Sequence, residues 1–372
     1  MLVSDIGLLE CVDCRGDLHI HSAERRDGHI LDGILRCGLC GAMYPVLRGV
    51  GIFFRKEVAL HFLSKEEFSA LRGSGNPSAF GERTVIAKED QKQLLVAKNW
   101  QYQWEQVAAY DAAVLTRDSK DLYGSDVFWK FIPIPPESVL GKTLYVACAG
   151  RGREAFHLTR QNPAKLIINE IGSEIYAISD LIADFKGKLL LLRCDVSYSP
   201  LKQGIADITI CDHALQHVSD HTLGFSSLVK ATKKNGLVCI CVYSRENNFL
   251  MVNVIEPIKI VLRRLPLKLL RMLALVPAAL IFLIIQLIYR PMNSFFRKTA
   301  SRLPLFEHMM FWSRNNFATI WMSCFDLIHA PISYHFTRAE VENLAQSNDL
   351  AIEKIVNTNG TLWSLVARKK QP

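Results

Sequence analysis

Between residues 143 and 243 five short apolar runs follow one another, and this succession restricts the fold more than any other feature. The first, Thr143-Leu-Tyr-Val-Ala-Cys148, passes through Ala149-Gly150-Arg-Gly152 into Arg153-Glu-Ala-Phe-His-Leu158. It reads as a buried strand, a glycine turn and a helix. Glycines are needed there because the backbone must approach a ligand closely and turn sharply into the helix. Nicotinamide enzymes use such a turn too, so it does not by itself name a cofactor. The second run, Lys165-Leu-Ile-Ile-Asn-Glu170, ends in a carboxylate. At the tip of a second strand an acid can accept both ribose hydroxyls of a nucleoside. The third, Leu189 to Cys194, ends at Asp195, placed to accept from an adenine amino group, with Val196 beside it. The fourth, Ala206 to Cys211, leads to Asp212-His213-Ala-Leu-Gln-His217. A helical 221–233 then turns at Gly236 into a fifth strand ending at Tyr243.

Over about residues 136–245 this pattern resembles the class I S-adenosylmethionine-dependent methyltransferases. The resemblance implies an α/β fold with a Rossmann-like seven-stranded sheet. The family's glycine turn faces the methionine part of the donor, its second-strand acid holds the ribose, and its third-strand acid holds the adenine. The donor-binding set implied here is Cys148, Gly150, Gly152, Glu170, Asp195, Val196 and Asp212. Two positions depart from the pattern: Cys148 occupies the first glycine position, and Val146 stands where many members carry an acid. A donor-binding scaffold without catalysis therefore stays open. Methyl transfer is an in-line displacement, so the protein must align the acceptor, and a base is needed only where the acceptor proton is hard to lose. Asp212 and His213 are the catalytic candidates. His217, four residues on, would share a helix face with His213 if that segment is helical, and His335 is a further candidate. For each histidine, packing or a bond to backbone is the competing reading.

Nearer the start, Cys11-x-x-Cys14 and Cys37-x-x-Cys40 are separated by 22 residues. Each pair forms a tight knuckle, so four thiolates can meet around one zinc ion with no open coordination position, which makes the metal structural. Gly16, Gly28 and Gly33 suit a hairpin between the knuckles. A segment this small buries little core, so metal binding would supply much of its folding free energy. The following run, with Tyr44-Pro45-Val46 and a Gly-Ile52 turn, resembles the zinc-ribbon activator subunit of tRNA and protein methyltransferases over about residues 8–56. Such ribbons also occur fused to methyltransferases. The expected organisation is a ribbon at 1–56, a helical bridge at 57–135 with a loose segment at 73–77, and a methyltransferase domain at 136–372. Within the bridge, Asn99-Trp100-Gln-Tyr-Gln-Trp104 resembles an aromatic stretch found ahead of ribbon-fused methyltransferase domains; docking the bridge onto the core is the plainer reading.

After Tyr243 the sheet pattern stops for about ninety residues and resumes near Phe325-Asp-Leu-Ile-His-Ala-Pro331, a series that also resembles ribbon-fused members. Thr337 with Glu340 forms a capping box. Asn359-Gly360 is a strong hairpin turn between Leu350–Val356 and Leu362–Ala367. The insertion, about 246–325, contains Met272 to Tyr289, 18 residues without charge, bracketed by Arg263, Arg264, Lys268, Arg271 and Arg290. That is a borderline membrane span by length. A single crossing would place strands of one sheet on opposite sides of a bilayer. The alternatives are a helix pair in the membrane plane, broken near Pro277, with contact through 266–290, or a lid over an apolar pocket.

A hydrophobic fraction of 49% and a charged fraction of 22% describe a globular chain. The net charge of +8 falls largely on the flanks of the apolar stretch and near the C-terminus, which is weak support for nucleic acid. The first residues lack the regions of a signal peptide, so a cytoplasmic location is expected, with the inner face of the membrane as the alternative that the apolar stretch leaves open. Cys148, Cys194, Cys211, Cys239, Cys241 and Cys324 fall mostly in the apolar runs and read as small core side chains. The leading expectation is methylation of a small, lipid-linked or glycan-linked acceptor at oxygen. An RNA methyltransferase is the second reading.

Overall fold

The computed structural model describes residues 1–72, 86–115 and 124–371. The loose segment at 73–77 lies outside them. Eleven strands form one sheet: β1 (Leu18–Arg26), β2 (His29–Cys37), β3 (Met43–Leu47), β4 (Val50–Phe53), β5 (Thr143–Ala147), β6 (Lys165–Glu170), β7 (Lys188–Cys194), β8 (Ala206–Asp212), β9 (Thr232–Tyr243), β10 (Leu350–Thr358) and β11 (Leu362–Lys369). Their order is β1-β2-β3-β4-β7-β6-β5-β8-β9-β11-β10. The six central strands from β4 to β9 are parallel, and β11 and β10 close one edge antiparallel.

Seven strands were expected and eleven are present. The four strands of the N-terminal ribbon continue the sheet, because β4 pairs in parallel with β7 from Val50 opposite Leu191 to Phe53 opposite Cys194. That pairing covers a strand edge whose backbone groups would otherwise be open. A buried ion pair secures the same edge. Arg193 of β7 meets Glu67 of the helix Lys65–Arg72, and Tyr176 donates to the other Glu67 oxygen at 2.6 Å.

The apolar runs form strands because both faces of the parallel sheet are covered. Leu144 and Val146 join a core with Phe128, Phe131 and Leu158, while Tyr145 and Ala147 join one with Phe225 and Leu228. Sequence order reverses at β5, which lies between β6 and β8. Such a switch point leaves a crevice beyond the carboxyl ends of the strands. The local signals hold at the other ends: Asp27 and Gly28, both at positive φ, turn β1 into β2; Thr337 and Glu340 cap the helix Arg338–Gln346; and Asn359-Gly360 turns β10 into β11.

The insertion is helical, and its apolar stretch is one helix, Leu267–Phe295. No helix pair broken at Pro277 forms; the irregularity falls at Ala274, because Pro277 has no N–H to donate to the carbonyl of Leu273, four residues before it. Leu270, Ala274, Ala278 and Ile285 pack on Ile320, Cys324 and Phe325 of the helix Phe317–His329. The long helix Lys88–Leu115 ties to that second helix through Asn99, which donates to the His329 carbonyl at 2.8 Å, and through Gln103, which donates to Asp326.

Candidate active site

The tips of β5, β6, β7, β8 and β9 open on one chamber of about 360 Å³, roofed by the insertion through Met251, Ile281, Met309 and Trp312. Its floor is the turn after β5. Cys148, Gly150 and Gly152 all take positive φ, at 55°, 54° and 90°. The bend is therefore left-handed at three alternating positions, which glycine tolerates and cysteine rarely adopts. Cys148 is held there by its N–H, which donates to Asn169 Oδ1 at 3.2 Å.

Glu170 at the tip of β6 fastens this turn to its neighbour. One carboxylate oxygen accepts the Gly150 N–H at 2.7 Å, and the other accepts from Ile171 and Gly172 at 2.7 and 3.1 Å. Burial raises the Glu170 pKa, opposed by those three donors. Trp104 lies across the turn. A methyl group placed on Gly150 would come within 3.0 Å of its ring, and its carbonyl accepts from Arg151 at 2.8 Å. Trp100 stacks on Trp104 at 5.8 Å, so the aromatic stretch docks the bridge and also walls the chamber.

Cys148, Gly150, Glu170, Val196, Asp212 and His213 all line the chamber. Gly152 and Asp195 do not. Gly152 packs against Ile178 and Leu181, and Asp195 caps the turn Val196–Tyr198 by accepting the Ser197 N–H at 2.8 Å. The Asp195 carboxyl faces a smaller space with Arg55, Asp90 and Tyr198, where burial raises its pKa.

His213 and Asp212 belong to an ion-paired cluster. Arg153 bonds one oxygen of Asp212, and the His213 Nδ1–H donates to the other at 2.6 Å. Burial opposes a charge on His213, but Cys241 and Asp212 beside it bring its pKa up to about 10. Burial also opposes the Asp212 charge, yet His213 and Arg153 hold it below the ordinary carboxylate value. At neutral pH His213 is protonated on both nitrogens and has no lone pair to offer, and each Asp212 oxygen already accepts from a charged partner.

His217 does. Its Nδ1 lies 2.6 Å from the Ile332 carbonyl, which can only accept, so the proton sits on Nδ1 and the Nε2 lone pair is free. That Nε2 is buried and has no hydrogen-bond partner among the described residues. Burial lowers the His217 pKa to about 3, so the ring is neutral. His213 and His217 do not share a helix face. His213 has φ 53°, only Leu215–His217 forms a short 3-10 turn, and the two rings meet across Tyr243 at 6.4 and 5.5 Å. His335 also lines the chamber, 5.6 Å from Tyr243.

Arg153 and Asp326 are the residues that the sequence left unassigned. Arg153 stands directly after Gly152, and a basic residue opening the helix that leaves a glycine turn was the available signal. Asp326 had none. It lies on the helix Phe317–His329, and burial raises its pKa to about 8.

In the ribbon, the sulfurs of Cys11, Cys14, Cys37 and Cys40 all lie within 4.8 Å of one another. Cys11 to Cys40 is 3.6 Å and Cys14 to Cys37 is 3.5 Å. Zinc–sulfur bonds of about 2.3 Å in a tetrahedron require sulfur separations of about 3.8 Å, so the donor set fits zinc. The backbone N–H groups of Leu39 and Cys40 point at Cys37 Sγ, at 3.4 and 3.5 Å, and Tyr44 closes the other side, its hydroxyl 3.0 Å from Cys11 Sγ.

No protein-family profile and no curated protein sequence matches this chain. Solved structures that superpose on it include a chain from the complex between the Haloferax volcanii Trm112 methyltransferase activator and a methyltransferase. It is 10% identical, with a TM-score of 0.44 over 73% of this chain and 98% of the other. Burkholderia thailandensis 1,6-didemethyltoxoflavin-N1-methyltransferase with bound S-adenosylhomocysteine is 10% identical, with a TM-score of 0.42 over 77% and 93%. Magnesium protoporphyrin IX methyltransferase from Synechocystis PCC 6803, also with S-adenosylhomocysteine, is 10% identical, with a TM-score of 0.36 over 85% and 100%. Likenesses this distant carry no functional weight, and the site rests on its own geometry.

Proposed function

We propose that this chain is an S-adenosylmethionine-dependent methyltransferase acting at an oxygen of a small, lipid-linked or glycan-linked acceptor. One observation carries the reading: the left-handed turn after β5 is clasped by the β6 carboxylate, Gly150 N–H to Glu170, on the floor of a roofed chamber. The bare backbone at Gly150 admits a ligand at close range, and Glu170 can take ribose hydroxyls as further donors. Val196, beside the Asp195 cap, would border the adenine. The donor supplies a methyl group on cationic sulfur. The acceptor oxygen would take the methyl carbon while S-adenosylhomocysteine leaves with the sulfur–carbon bonding pair, and the acceptor's proton would pass to solvent water. His217 Nε2 would orient the acceptor hydroxyl by accepting its hydrogen bond; at a pKa of about 3 it is an aligning group rather than a strong base. Arg153, Asp212 and His213 would form a fixed polar wall beside it. Cys11, Cys14, Cys37 and Cys40 would hold a structural zinc ion. A roofed chamber of about 360 Å³ walled by Trp100, Trp104, Phe311 and Trp312 favours a small group over an RNA strand.

The test is calorimetry of zinc-loaded full-length protein with S-adenosylhomocysteine, beside the Glu170→Ala variant. Binding in the parent and loss in the variant are expected. Absence of heat with both the donor and its demethylated product would overturn the reading. Turnover of radiolabelled donor with lipid, glycan and RNA fractions then identifies the acceptor class.

A further inference from the structure

Exposed apolar side chains are concentrated in one part of this molecule. Of the 24 large hydrophobic residues that stand in solvent among those described, 18 fall between Phe249 and Leu305. A surface patch of that extent marks a contact with another apolar phase. The helix Leu267–Phe295 shows how it is built. One stripe, Leu270, Ala274, Ala278, Ile285 and Tyr289, is buried against the body of the protein. The opposite stripe, Met272, Val276, Leu280, Leu283 and Leu287, is 65%, 70%, 58%, 52% and 70% exposed. The two stripes lie about 180° apart on the helix, at 100° per residue. Because the inner stripe is seated along most of the helix, the helix cannot stand upright in a bilayer without carrying the sheet domain with it. It can only lie flat.

The charge distribution supplies the second observation. The segment 249–305 holds nine basic residues and one acid, Glu256, so the entire formal excess of +8 resides there and the rest of the chain is balanced. Arg263, Arg264 and Lys268 are exposed at one end of the long helix, and Arg290, Arg297 and Lys298 at the other. Two copies of this face brought together would oppose like charges. An anionic headgroup layer neutralises them, while its acyl region accepts the apolar stripe.

We infer that this face docks in the plane of an anionic lipid bilayer. The outer stripe lies among the acyl chains, and the flanking arginines and lysines sit at the headgroup phosphates. Ile281 lies on the inner stripe of the same helix and lines the chamber beside Met251, Met309 and Trp312, so the insertion stands between the chamber and the bilayer. The inference does not depend on the methyl-transfer reading, since vesicle binding is measured without donor or acceptor.

The experiment is flotation of the full chain with vesicles of phosphatidylcholine mixed with phosphatidylglycerol, and with phosphatidylcholine alone. The parent is expected to float with the anionic vesicles and less so at high salt. Arg263→Gln with Arg264→Gln should weaken partition about thirtyfold, from about 1 kcal/mol per basic residue. Val276→Glu, Leu280→Glu and Leu287→Glu together should leave the protein unfloated with its circular dichroism unchanged. If the triple variant misfolds, the arginine pair, two exposed side chains, still decides. Failure of the parent to float, flotation of the folded triple variant like the parent, or an unchanged partition in the arginine variant would each overturn the inference. So would a dimer in sedimentation velocity that the triple variant dissociates while the parent ignores vesicles.

Discussion

Gly150 and Gly152 sit two residues apart in one turn, and the structure assigns them different work. At Gly150 φ is +54°, and a Cβ would lie 3.0 and 3.3 Å from two atoms of the Trp104 ring, on the chamber side. At Gly152 φ is +90°, and a Cβ would meet Ile178 and Leu181 at 3.2 Å, away from the chamber. A left-handed backbone costs an L-residue about 1–2 kcal/mol, and more as φ moves outward. Contacts this close require neighbours to yield by a few tenths of an ångström. Gly150→Ala should therefore lose about 1–2 kcal/mol of stability, and about tenfold or more in donor affinity because Trp104 and the Glu170 clasp shift together. Gly152→Ala should lose about 2–3 kcal/mol of stability with donor affinity changed by less than about threefold, since only helix packing is disturbed. Urea unfolding followed by circular dichroism gives the first quantity, and calorimetry with S-adenosylhomocysteine gives the second. If Gly152→Ala weakened the donor as much as Gly150→Ala while stability held, the chamber side of the turn would be misassigned.

Three further outcomes are expected. His217→Ala should leave donor affinity unchanged and lower kcat by about a hundredfold on the acceptor that radiolabelling identifies; an equal loss of donor binding would mean the ring only packs. Asp326, with Gln103 and His329 facing it, has a folded pKa of about 8 against an ordinary 3.8, so the stability its neutral form contributes is complete below pH 3.8 and lost as pH rises through about 8. Asp326→Asn should accordingly gain on the parent in thermal unfolding as pH increases from 5 to 9, and a constant difference would count against a neutral Asp326. Removing zinc with a chelator, or Cys37→Ser, should lower the melting temperature of the whole chain rather than of a detached ribbon, because β4 is paired to β7; a purified protein without zinc by atomic emission would end the ribbon assignment.

Much of the site was legible from local pattern. Gly150, Glu170, Val196, Asp212 and His213 were placed on strand tips by their position after apolar runs, and the chamber contains all five. The proton sites were harder to read. His213 Nδ1–H donates to Asp212, which Arg153 also holds, whereas the Ile332 carbonyl accepts from His217 Nδ1–H and leaves the other nitrogen of that ring unprotonated. Which nitrogen of a histidine carries a proton depends on a partner that, for His217, lies 115 residues away.

The amino-acid sequence alone determined the features that act over a few residues. The apolar runs of the buried strands, the Thr337 cap, the Asn359-Gly360 hairpin and the spacing of the four thiolates follow from run length, turn chemistry and knuckle size. Tertiary structure decided what joins distant segments. The β4–β7 pairing turned a separate-looking ribbon into part of an eleven-stranded sheet, Gln103 met Asp326 across 223 positions, and the long apolar helix was laid flat against the body. Such contacts depend on which edges and faces remain uncovered once the sheet is assembled, and no short window of sequence contains that information.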